Sequence, residues 1–480
     1  ARAVCRRPNL GLSSRFENSS KYIHKVSNMK KFYILPFFTI SALFGFDMND
    51  PFAVSNGVRY APKTAPQNIE SQKPLSLAQL IDIALSNNPN TAYAWANALS
   101  KAQSVGAAKS GYLPQITATG GIDATKQSQK GGDSFVNTKS GSLALSYTLY
   151  DFGAREANLQ NAKMILEAAN LSQNAQIQST VLSVTQAYYN LLAYKASLES
   201  FLEAERSAKE SFAAAEAKYK AGTATPADKL QAKTAYSQAT LNRQKAEGAL
   251  QNGYGELSFA LGFDAVKKFD VEQIGYDFAV QKTLDDAKRL IEEAKKTRPD
   301  LAAAAMQIEA AKAGIDIAKA SGRPTLSLSS STGYSDTSIG AASRSSSASV
   351  QLSIPIFTGF SSTYKIEAAK VEAKLRELDY QKLEKQIALD VYKAYNNLGT
   401  QAVAVESSMD LLASAEESYK NASGRYKAGV GTILDLLTAQ NSLASAKQQR
   451  VEAAYNWLIA KATLAYALGK LTTENLENGK

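Results

Sequence analysis

Apolar residues recur at helical spacing through a proline-free segment that extends from residue 154 to residue 220. Its most regular positions follow the three-and-four spacing of a coiled-coil seam: Val181, Val184, Tyr188 and Leu191. At 1.5 Å per residue, a helix of this length spans ~100 Å. The pattern predicts a very long helix that packs against other helices along one side.

A turn signal follows this segment, because residues 218–228 read KYKAGTATPAD. Gly222 suits the left-handed conformation that ends a helix. Thr225 can cap the next helix with Asp228 three residues on, and Pro226 suits the first helical position. These residues predict a tight helical hairpin whose second helix runs back along the first.

The apolar period changes from 3.6 to 2 ahead of this hairpin, between about residues 114 and 151. Apolar and polar residues alternate on both sides of a loop at Gly131-Gly132, which predicts a hairpin of two strands. Each strand approaches the ~9–11 residues that cross a bilayer when tilted. Aromatic residues cluster at one end, as they do at a membrane interface: Tyr112, Tyr147, Tyr150 and Phe152. On these residues alone, a soluble hairpin with aromatic ends is an equal alternative.

The same order of elements occurs twice in the chain. Residues 425–435 read RYKAGVGTILD and lie 207 positions after the first turn motif. Pro89 and Pro114 recur 210 positions later as Pro299 and Pro324. The coiled-coil seam also recurs: Ala388, Val391, Tyr395 and Leu398. The sequence therefore predicts an internal duplication.

The second half contains its own predicted strand hairpin, at about 324–358. Its first strand begins around Leu326 and Leu328. Its second strand passes through alternating apolar positions: Val350, Leu352, Ile354 and Ile356. A serine-rich segment, Ser343–Ser347, is predicted to form the loop between them. Each half therefore supplies two strands and one helical hairpin.

These patterns divide the chain into successive segments. They follow in this order: a linker at 54–73; a first repeat at 74–262, with a strand hairpin at about 114–151 and a helical hairpin at about 154–261; a connecting segment at 263–282; a second repeat at 283–469, with a strand hairpin at about 324–358 and a helical hairpin at about 361–468; and a tail at 470–480. The connecting segment reads as irregular, with at most a small helix.

Positive charge is concentrated at the start of the chain. The formal net charge is +10, and residues 1–31 hold eight Lys or Arg and one acid, which leaves about +3 for the remainder. A basic nucleic-acid-binding body is therefore not indicated. Met29 and two lysines precede an apolar run at 32–46, which predicts a signal peptide at 29–53. Residues 1–28 then read as an upstream extension, and a short buried helix is the alternative for the apolar run.

The single cysteine and the single histidine, Cys5 and His24, both precede the predicted signal peptide. A processed chain would have neither residue, which excludes thiol nucleophiles, disulfides, imidazole bases and the usual zinc ligands. The sequence also shows no glycine-rich phosphate loop. We therefore expect no catalytic residue, no cofactor, no metal site and no enzymatic activity.

Four strands in one chain leave two open sheet edges, and an open edge that faces lipid is not viable. If the strand hairpins lie in a membrane, closure needs more than one copy of the chain. The long hairpins make the same demand, because one hairpin cannot bury apolar residues on both of its sides. A cylinder of helices that continues a cylinder of strands is a conduit. The alternative is a secreted or periplasmic coiled-coil scaffold without a pore.

The ordered motifs of both halves resemble the TolC outer-membrane efflux channel family. In the first half they are Leu-Pro before a strand, Leu-Tyr-Asp before a long helix, Tyr-Lys-Ala-Gly at the turn and Ala-Leu-Gly at the end. The second half has the same order, with Arg-Pro and Ile-Phe-Thr in place of Leu-Pro and Leu-Tyr-Asp, and the resemblance covers about residues 74–469. The resemblance implies an internally duplicated α+β membrane protein. Its four strands per chain would contribute to a trimeric 12-stranded barrel, which a long periplasmic α-helical barrel of coiled-coil hairpins would continue.

The resemblance also implies a cellular location and a function. The protein would be a homotrimer in the outer-membrane lipid of a Gram-negative cell and would extend into the periplasm. It would be the passive exit duct of a tripartite efflux pump or a type I secretion system. Its partners would be a periplasmic adaptor protein and an inner-membrane transporter, with no nucleic acid.

Residues at the periplasmic entrance follow from the same resemblance. Asp435 matches an acidic position that rings the entrance, whereas Thr438 stands where a second acid is often found. Tyr426 and Asp228 match a pair that links neighbouring helices of the closed entrance, and Gly431 replaces an arginine of another link. Six tip positions are expected to contact the adaptor: Ala221, Gly222, Thr223, Ala428, Gly429 and Val430. Asp228 and Asp435 also fit capping positions, and capping alone is the alternative for both.

Overall fold

A computed structural model of the chain describes residues 47, 49–61, 74–129, 132–276 and 286–471. The upstream extension, most of the predicted signal peptide, the second part of the linker and most of the tail lie outside these residues. Contacts divide the chain into two units, Ala1–Pro51 and Phe52–Lys480. Every helix and strand of the described residues belongs to the second unit.

The elements of the two halves follow the same order. The first half contains α1 (Leu77–Asn87), α2 (Pro89–Ser110), β1 (Gln115–Gln129), β2 (Gly132–Tyr150), α3 (Ala154–Lys220) and α4 (Pro226–Ala260). The second half contains α5 (Ala287–Thr297), α6 (Pro299–Ala320), β3 (Thr325–Thr337), β4 (Ser343–Ser353), α7 (Ser361–Lys427) and α8 (Ile433–Ala467). In these ranges, no helix has both the length and the apolar character of a membrane span.

The two long hairpins turn as the sequence predicts. Gly222 and Gly429 adopt left-handed backbone conformations, with φ of 74° and 78°. Thr225 then caps α4 and Thr432 caps α8, and each forms a complete capping box with the aspartate three residues on. The predicted stop, turn and start are confirmed in both halves.

The coiled-coil seam of the first half is buried in full, because Val181, Val184, Tyr188 and Leu191 are all at most 2% exposed. The second half is offset from the prediction. Its buried seam keeps the predicted Val391 and Leu398 but has Ile387 and Ala394 in place of Ala388 and Tyr395. Ala388 and Tyr395 are half-buried at the margin of this seam. Burial follows the neighbouring helices, which differ between the halves although the repeat is the same.

The long helices lie side by side in a layer with the order α4, α3, α8, α7, in which α3 packs against α4 and α8, and α8 packs against α7. The shorter helices cover this layer near the sheet, since α6 packs against both α3 and α7. The layer has α4 at one margin and α7 at the other. Two apolar cores result, one centred on α3 and one on the α7–α8 pair.

The four strands form one antiparallel sheet with the order β1-β2-β3-β4. Opposed residues run across it in register, as in the row that joins Ile116 to Leu145, Leu145 to Ser330 and Ser330 to Ala348. Within the described strands, the outer edges of β1 and β4 have no strand partner. The two hairpins of the duplicated chain therefore merge into one sheet with two open edges.

This register gives the sheet two different faces, because side chains alternate along each strand. The first face, called the apolar face, carries residues that include Ile116, Leu143, Leu145, Tyr147, Leu326, Leu328, Val350 and Leu352. The second, called the hydroxyl face, carries residues that include Thr117, Thr119, Ser140, Ser142, Ser146, Ser327, Ser329, Ser331, Ser347 and Ser349. Hydroxyl pairs join neighbouring strands on it, such as Ser329 to Ser349 at 2.8 Å.

The prediction of a loop at Ser343–Ser347 is wrong, because these residues form the first half of β4. Serine has weak strand propensity, but here each backbone joins the ladder with β3, and Ser347 pairs its hydroxyl with Ser331 at 3.0 Å. The predicted strand also ends early. Ile354 and Ile356 lie beyond β4, since Pro355 cannot donate to the ladder.

Two predicted connections have more contacts than their polar sequences indicate. Residues 54–57 of the predicted linker form a short 3-10 helix, and Val54 packs against Ala102 and Val105. From residue 263 to residue 276 the connecting segment contains no helix, and its backbone carbonyls accept hydrogen bonds from Tyr188 and Tyr455. The described part of the connecting segment therefore runs over the long helices without forming a helix of its own.

Candidate entrance site at the hairpin tips

The tips of the two hairpins meet around one small apolar cluster. It takes residues from all four long helices: Ala215 from α3, Ala232 from α4, Tyr426 from α7, and Ile433, Leu436 and Leu437 from α8. Burial of these side chains holds the tips together in one chain. The sequence places each tip through its turn motif, but it does not show that the two turns are neighbours.

Asp228 and Asp435 occupy equivalent positions, one on each tip. Asp228 accepts hydrogen bonds from the Thr225 backbone N–H at 2.9 Å and the Thr225 hydroxyl at 2.8 Å. Asp435 accepts a hydrogen bond from the Thr432 backbone N–H at 3.3 Å. The bonds from Thr225 lower the pKa of Asp228, and the Thr432 bonds together with the positive charge of Arg425 lower the pKa of Asp435. Both aspartates therefore cap a helix and are ionised at neutral pH.

Tyr426 is buried, with 7% of its surface exposed, whereas its repeat equivalent Tyr219 is 40% exposed. Burial raises the pKa of Tyr426, and the charge of Asp228 adds to this effect. Tyr426 and Asp228 are thus close enough to interact through space. Within the described chain, however, the Tyr426 hydroxyl makes no hydrogen bond, and Asp228 is bonded to Thr225 instead.

The principal partner of Tyr426 is Lys218, a residue that sequence reasoning did not select. The Lys218 ammonium lies 3.8 Å from the centroid of the Tyr426 ring and donates to the Tyr426 carbonyl oxygen at 3.1 Å. We call this contact the Lys218 clasp. Lysine is common in helix ends, so the sequence alone gave no signal that this side chain reaches across to the other hairpin.

The six positions expected to contact an adaptor are all exposed on the two loops: Ala221, Gly222, Thr223, Ala428, Gly429 and Val430. Val430 is 71% exposed between two glycines. At Gly431, a Cβ atom would lie 3.0 Å from both the Arg425 Cβ and the Tyr426 backbone nitrogen. The second tip therefore has little room for a side chain at residue 431, where the resemblance expects an arginine.

Further along the α3–α8 contact, away from the tips, the two hairpins are joined by polar groups. Gln440 donates to the Ser211 hydroxyl at 2.7 Å, and Lys447 pairs with Glu203 at 2.6 Å. A groove runs beside these pairs and is lined by polar side chains that include Ser207, Gln238 and Asn441. No group of three His, Cys, Asp or Glu residues in the described chain is arranged to hold a metal ion.

Comparison with known proteins agrees with the duplicated architecture. A family model described as outer membrane efflux protein matches residues 80–263 and again residues 290–470. The two matched ranges correspond to the two halves of the chain. They include both hairpin tips and all four strands.

Several known proteins match most of the chain. Protein CyaE of Bordetella pertussis is 30% identical over 411 residues, which cover 84% of this chain and 86% of that protein. The outer membrane protein TolC of Vibrio cholerae is 23% identical over 411 residues, which cover 84% of this chain and 92% of that protein. The similarity therefore extends over nearly the whole length of both relatives.

Solved structures share the fold at lower identity. The Campylobacter jejuni CmeC outer membrane channel has a TM-score of 0.74 at 19% identity and covers 84% of this chain and 88% of that chain. The open state of the Neisseria gonorrhoeae MtrE outer membrane channel has a TM-score of 0.69 at 20% identity and covers 86% of this chain and 98% of that chain. Given the two family matches and the shared fold, the chain belongs to the outer membrane efflux protein family.

Proposed function

We propose that three copies of this chain form a closed duct through the outer membrane and into the periplasm. The duct passively conducts substrates delivered by an inner-membrane transporter through a periplasmic adaptor protein. The observation that carries the proposal is the four-stranded sheet, which has one apolar face, one hydroxyl face and two open edges. Such a sheet satisfies its backbone in lipid only when its edges pair with other copies.

The two faces of the sheet fit lipid on one side and water on the other. Transmembrane strands alternate apolar residues that face outward with polar residues that face the lumen. Aromatic pairs mark one end of the sheet in both halves, with ring centroids 4.6 Å apart for Tyr150 and Phe152 and 5.5 Å apart for Phe357 and Phe360. Aromatic rings at this level suit the interface between the membrane and the periplasm.

The helical layer supports closure independently. Helix α7 has an apolar stripe that no described residue covers, and it includes Tyr364, Val371, Leu375, Leu378 and Tyr392. Leu378 and the buried Ile387 are nine residues apart, or about two and a half turns, so they lie on opposite sides of α7. A helix with apolar residues on two sides needs two neighbours. We infer that α4 of a second copy covers this stripe, because α4 is the other margin of the layer.

The exposed loops at 221–223 and 428–430 are proposed to contact the adaptor. They are at the ends of the two hairpins farthest from the sheet, since α3 and α7 each extend 67 residues from the strands. No phosphate-binding loop is visible in the sequence, so the energy for transport comes from the inner-membrane transporter. The protein then needs no catalytic chemistry of its own.

The test of the duct is where the processed protein resides and how many copies it contains. The protein should float with outer membranes in a sucrose gradient and migrate as a trimer by light scattering in detergent. A marker protein of the periplasm serves as the control for contamination. Recovery as a monomer in the soluble fraction would end the proposal and favour a periplasmic scaffold.

Asp435 is proposed to form a ring of three carboxylates at the entrance. Such a ring attracts cations and repels anions. Asp435→Asn should therefore reduce cation selectivity in single-channel recording without dissociating the trimer. Glu417→Gln, which removes the same charge from the side of α7, is the control and should leave selectivity unchanged. Equal selectivity in Asp435→Asn and the parent protein would assign Asp435 to capping alone.

The same ring predicts a pH dependence with a definite sign. The pKa of Asp435 is lowered by its bonds to Thr432, so the carboxylate stays charged at pH values where an unperturbed aspartate begins to protonate. Cation selectivity should therefore be lost at a lower pH than for a ring of unperturbed aspartates. The stability that the Asp435 cap contributes should decrease as the pH falls from the ordinary aspartate range through the lowered pKa of Asp435.

A further inference from the structure

We propose that Arg425 of each protomer packs over the ring of Tyr219 in the neighbouring copy. The entrance would then be closed by six cation–aromatic contacts, three within protomers and three between them. This inference depends on the proposed closed ring of three copies. Its starting point is the Lys218 clasp, which the structure shows within one chain.

The internal duplication relates the two contacts. Lys218 and Arg425 are equivalent cations in the two turn motifs, and Tyr426 and Tyr219 are equivalent aromatic residues. In the clasp, the cation of the first hairpin reaches the tyrosine of the second. The equivalent contact joins the cation of the second hairpin to the tyrosine of a first hairpin. Within one chain, the first hairpin packs against α8, on the side of the second hairpin away from the α7 margin. The tyrosine that Arg425 contacts must therefore come from another copy.

The order of helices in the layer supplies the missing neighbour. Helix α3 packs against α8 within the chain, and exchange of the two hairpins converts this contact into α7 against α4. Those two helices are the margins of the layer, so in a closed ring they meet between copies. The apolar stripe of α7 is the surface for that contact. The contact of α7 with α4 of the next copy is therefore equivalent to the contact of α3 with α8 within one chain.

The exposure of the two tyrosines agrees with this scheme. Tyr426, which has its cation, is 7% exposed, whereas Tyr219 is 40% exposed in the single chain. Lys229 of the same hairpin lies 5.5 Å from the centroid of the Tyr219 ring, well beyond the 3.8 Å of the clasp. Within the described residues, Arg425 is exposed and makes no ion pair within 4 Å. Its charge reaches Asp435 only through space.

The chemistry of the contact favours arginine at this position. A guanidinium stacks flat on an aromatic face, and such contacts strengthen when water is excluded. The clasp also places the Lys218 ammonium at the C-terminal end of α7, where the helix dipole favours a cation. Arg425 would reach the equivalent end of α3, since Tyr219 is in the last turn of that helix. Each contact therefore draws one hairpin tip toward the next.

Cross-linking tests the position directly. A short bis-maleimide applied to intact trimers of the Arg425→Cys, Tyr219→Cys double variant should give covalent dimers and trimers on denaturing gels. The Lys218→Cys, Tyr426→Cys variant is the matched control, because its two cysteines belong to one chain and should give monomers only. Monomers alone from the first variant, with trimers intact before denaturation, would overturn the proposal and leave the duct unaffected. Loss of the trimer in the parent protein would instead refute the proposed function.

Single-channel recording tests the role. Arg425→Met and Tyr219→Leu should each raise the conductance of the resting channel by at least about three- to thirtyfold, because that is the range expected for one lost cation–aromatic contact and each variant trimer loses three. Their combination should add little to either change, because both remove the same contact. Tyr219→Phe keeps the ring and should retain the low conductance, and Lys427→Met controls for loss of a cation in the same turn. Equal effects of Arg425→Met and Lys427→Met would contradict a specific contact.

Discussion

Replacement of Leu378 by glutamate should prevent assembly of the trimer while each protomer keeps its fold. Leu378 is 49% exposed in the single chain and lies in the apolar stripe of α7, on the side opposite the core of its own chain. Burial of a leucine side chain contributes about 1.5–3 kcal/mol, and a buried carboxylate without a partner adds a further cost. The loss recurs at all three contacts of a ring, so the association constant should fall by more than about 100-fold.

The measurement is the mass of the detergent-solubilised protein by light scattering across a range of concentrations. Asn397→Asp is the matched control, because it places the same charge on an exposed position of α7 about 100° away from Leu378 and beyond the named residues of the stripe. The control should remain trimeric at all concentrations. If Leu378→Glu assembles as well as Asn397→Asp, the stripe does not form a contact between copies, and closure of the helical layer would need another surface.

Replacement of Gly262 by alanine should destabilise the protomer itself. Gly262 has a φ of +81°, and a Cβ atom there would lie 2.7 Å from the Asn87 carbonyl oxygen and 2.8 Å from the Asn88 Cα. These are backbone atoms at the break between α1 and α2, so the clash cannot be relieved by a side-chain rotation. A left-handed non-glycine residue and an overpacked contact each cost about 1–3 kcal/mol, so we expect a total of about 2–6 kcal/mol.

The expected result is a lower midpoint of thermal unfolding in detergent and faster digestion by trypsin. Gly248→Ala is the control, because Gly248 lies within α4 and no described atom outside its own helix backbone lies within 4 Å of its Cβ position. Alanine there should leave the protein unchanged or stabilise it by up to about 1 kcal/mol. Gly469→Ala should resemble Gly262→Ala, since its Cβ would lie 2.9 Å from the Arg298 Cα. Similar midpoints for Gly262→Ala and Gly248→Ala would contradict the argument.

The duplication allows a comparison between positions that have the same sequence role and different surroundings. Gly262 and Gly469 both end a helix against the break between two short helices, and both are constrained by backbone. Tyr219 and Tyr426 both precede a turn, yet only Tyr426 is covered. The two tyrosines differ in exposure because the first hairpin covers Tyr426 of the second hairpin. In the single chain, no further hairpin lies beside the α4 margin to cover Tyr219. Asymmetry of this kind in a repeated chain points to surfaces that other copies cover.

Local patterns in the sequence were sufficient for the elements and for their order. The helical period continues from residue 154 to residue 220 without a proline or glycine. Both ends of this helix could therefore be predicted without tertiary information. Gly222 and Thr225 define the first turn because their conformational preferences and hydrogen bonds are local. Strand alternation was similarly local. It failed at Ser343–Ser347, where the strand is stabilised by its partner and not by its own composition, and at Ile354 and Ile356, where Pro355 ends the ladder.

The tertiary structure alone decided which distant residues meet. The sequence placed Asp228, Tyr426 and Asp435 at the tips, but it did not predict that Lys218 would occupy the face of Tyr426, 208 residues away. Nor could it show that the two strand hairpins join through β2 and β3 into one sheet with a hydroxyl face. Periodicity and capping act over a few residues and are encoded where they occur. A contact between hairpins depends on how helices about 100 Å long align side by side, and that alignment is fixed by packing along their whole length.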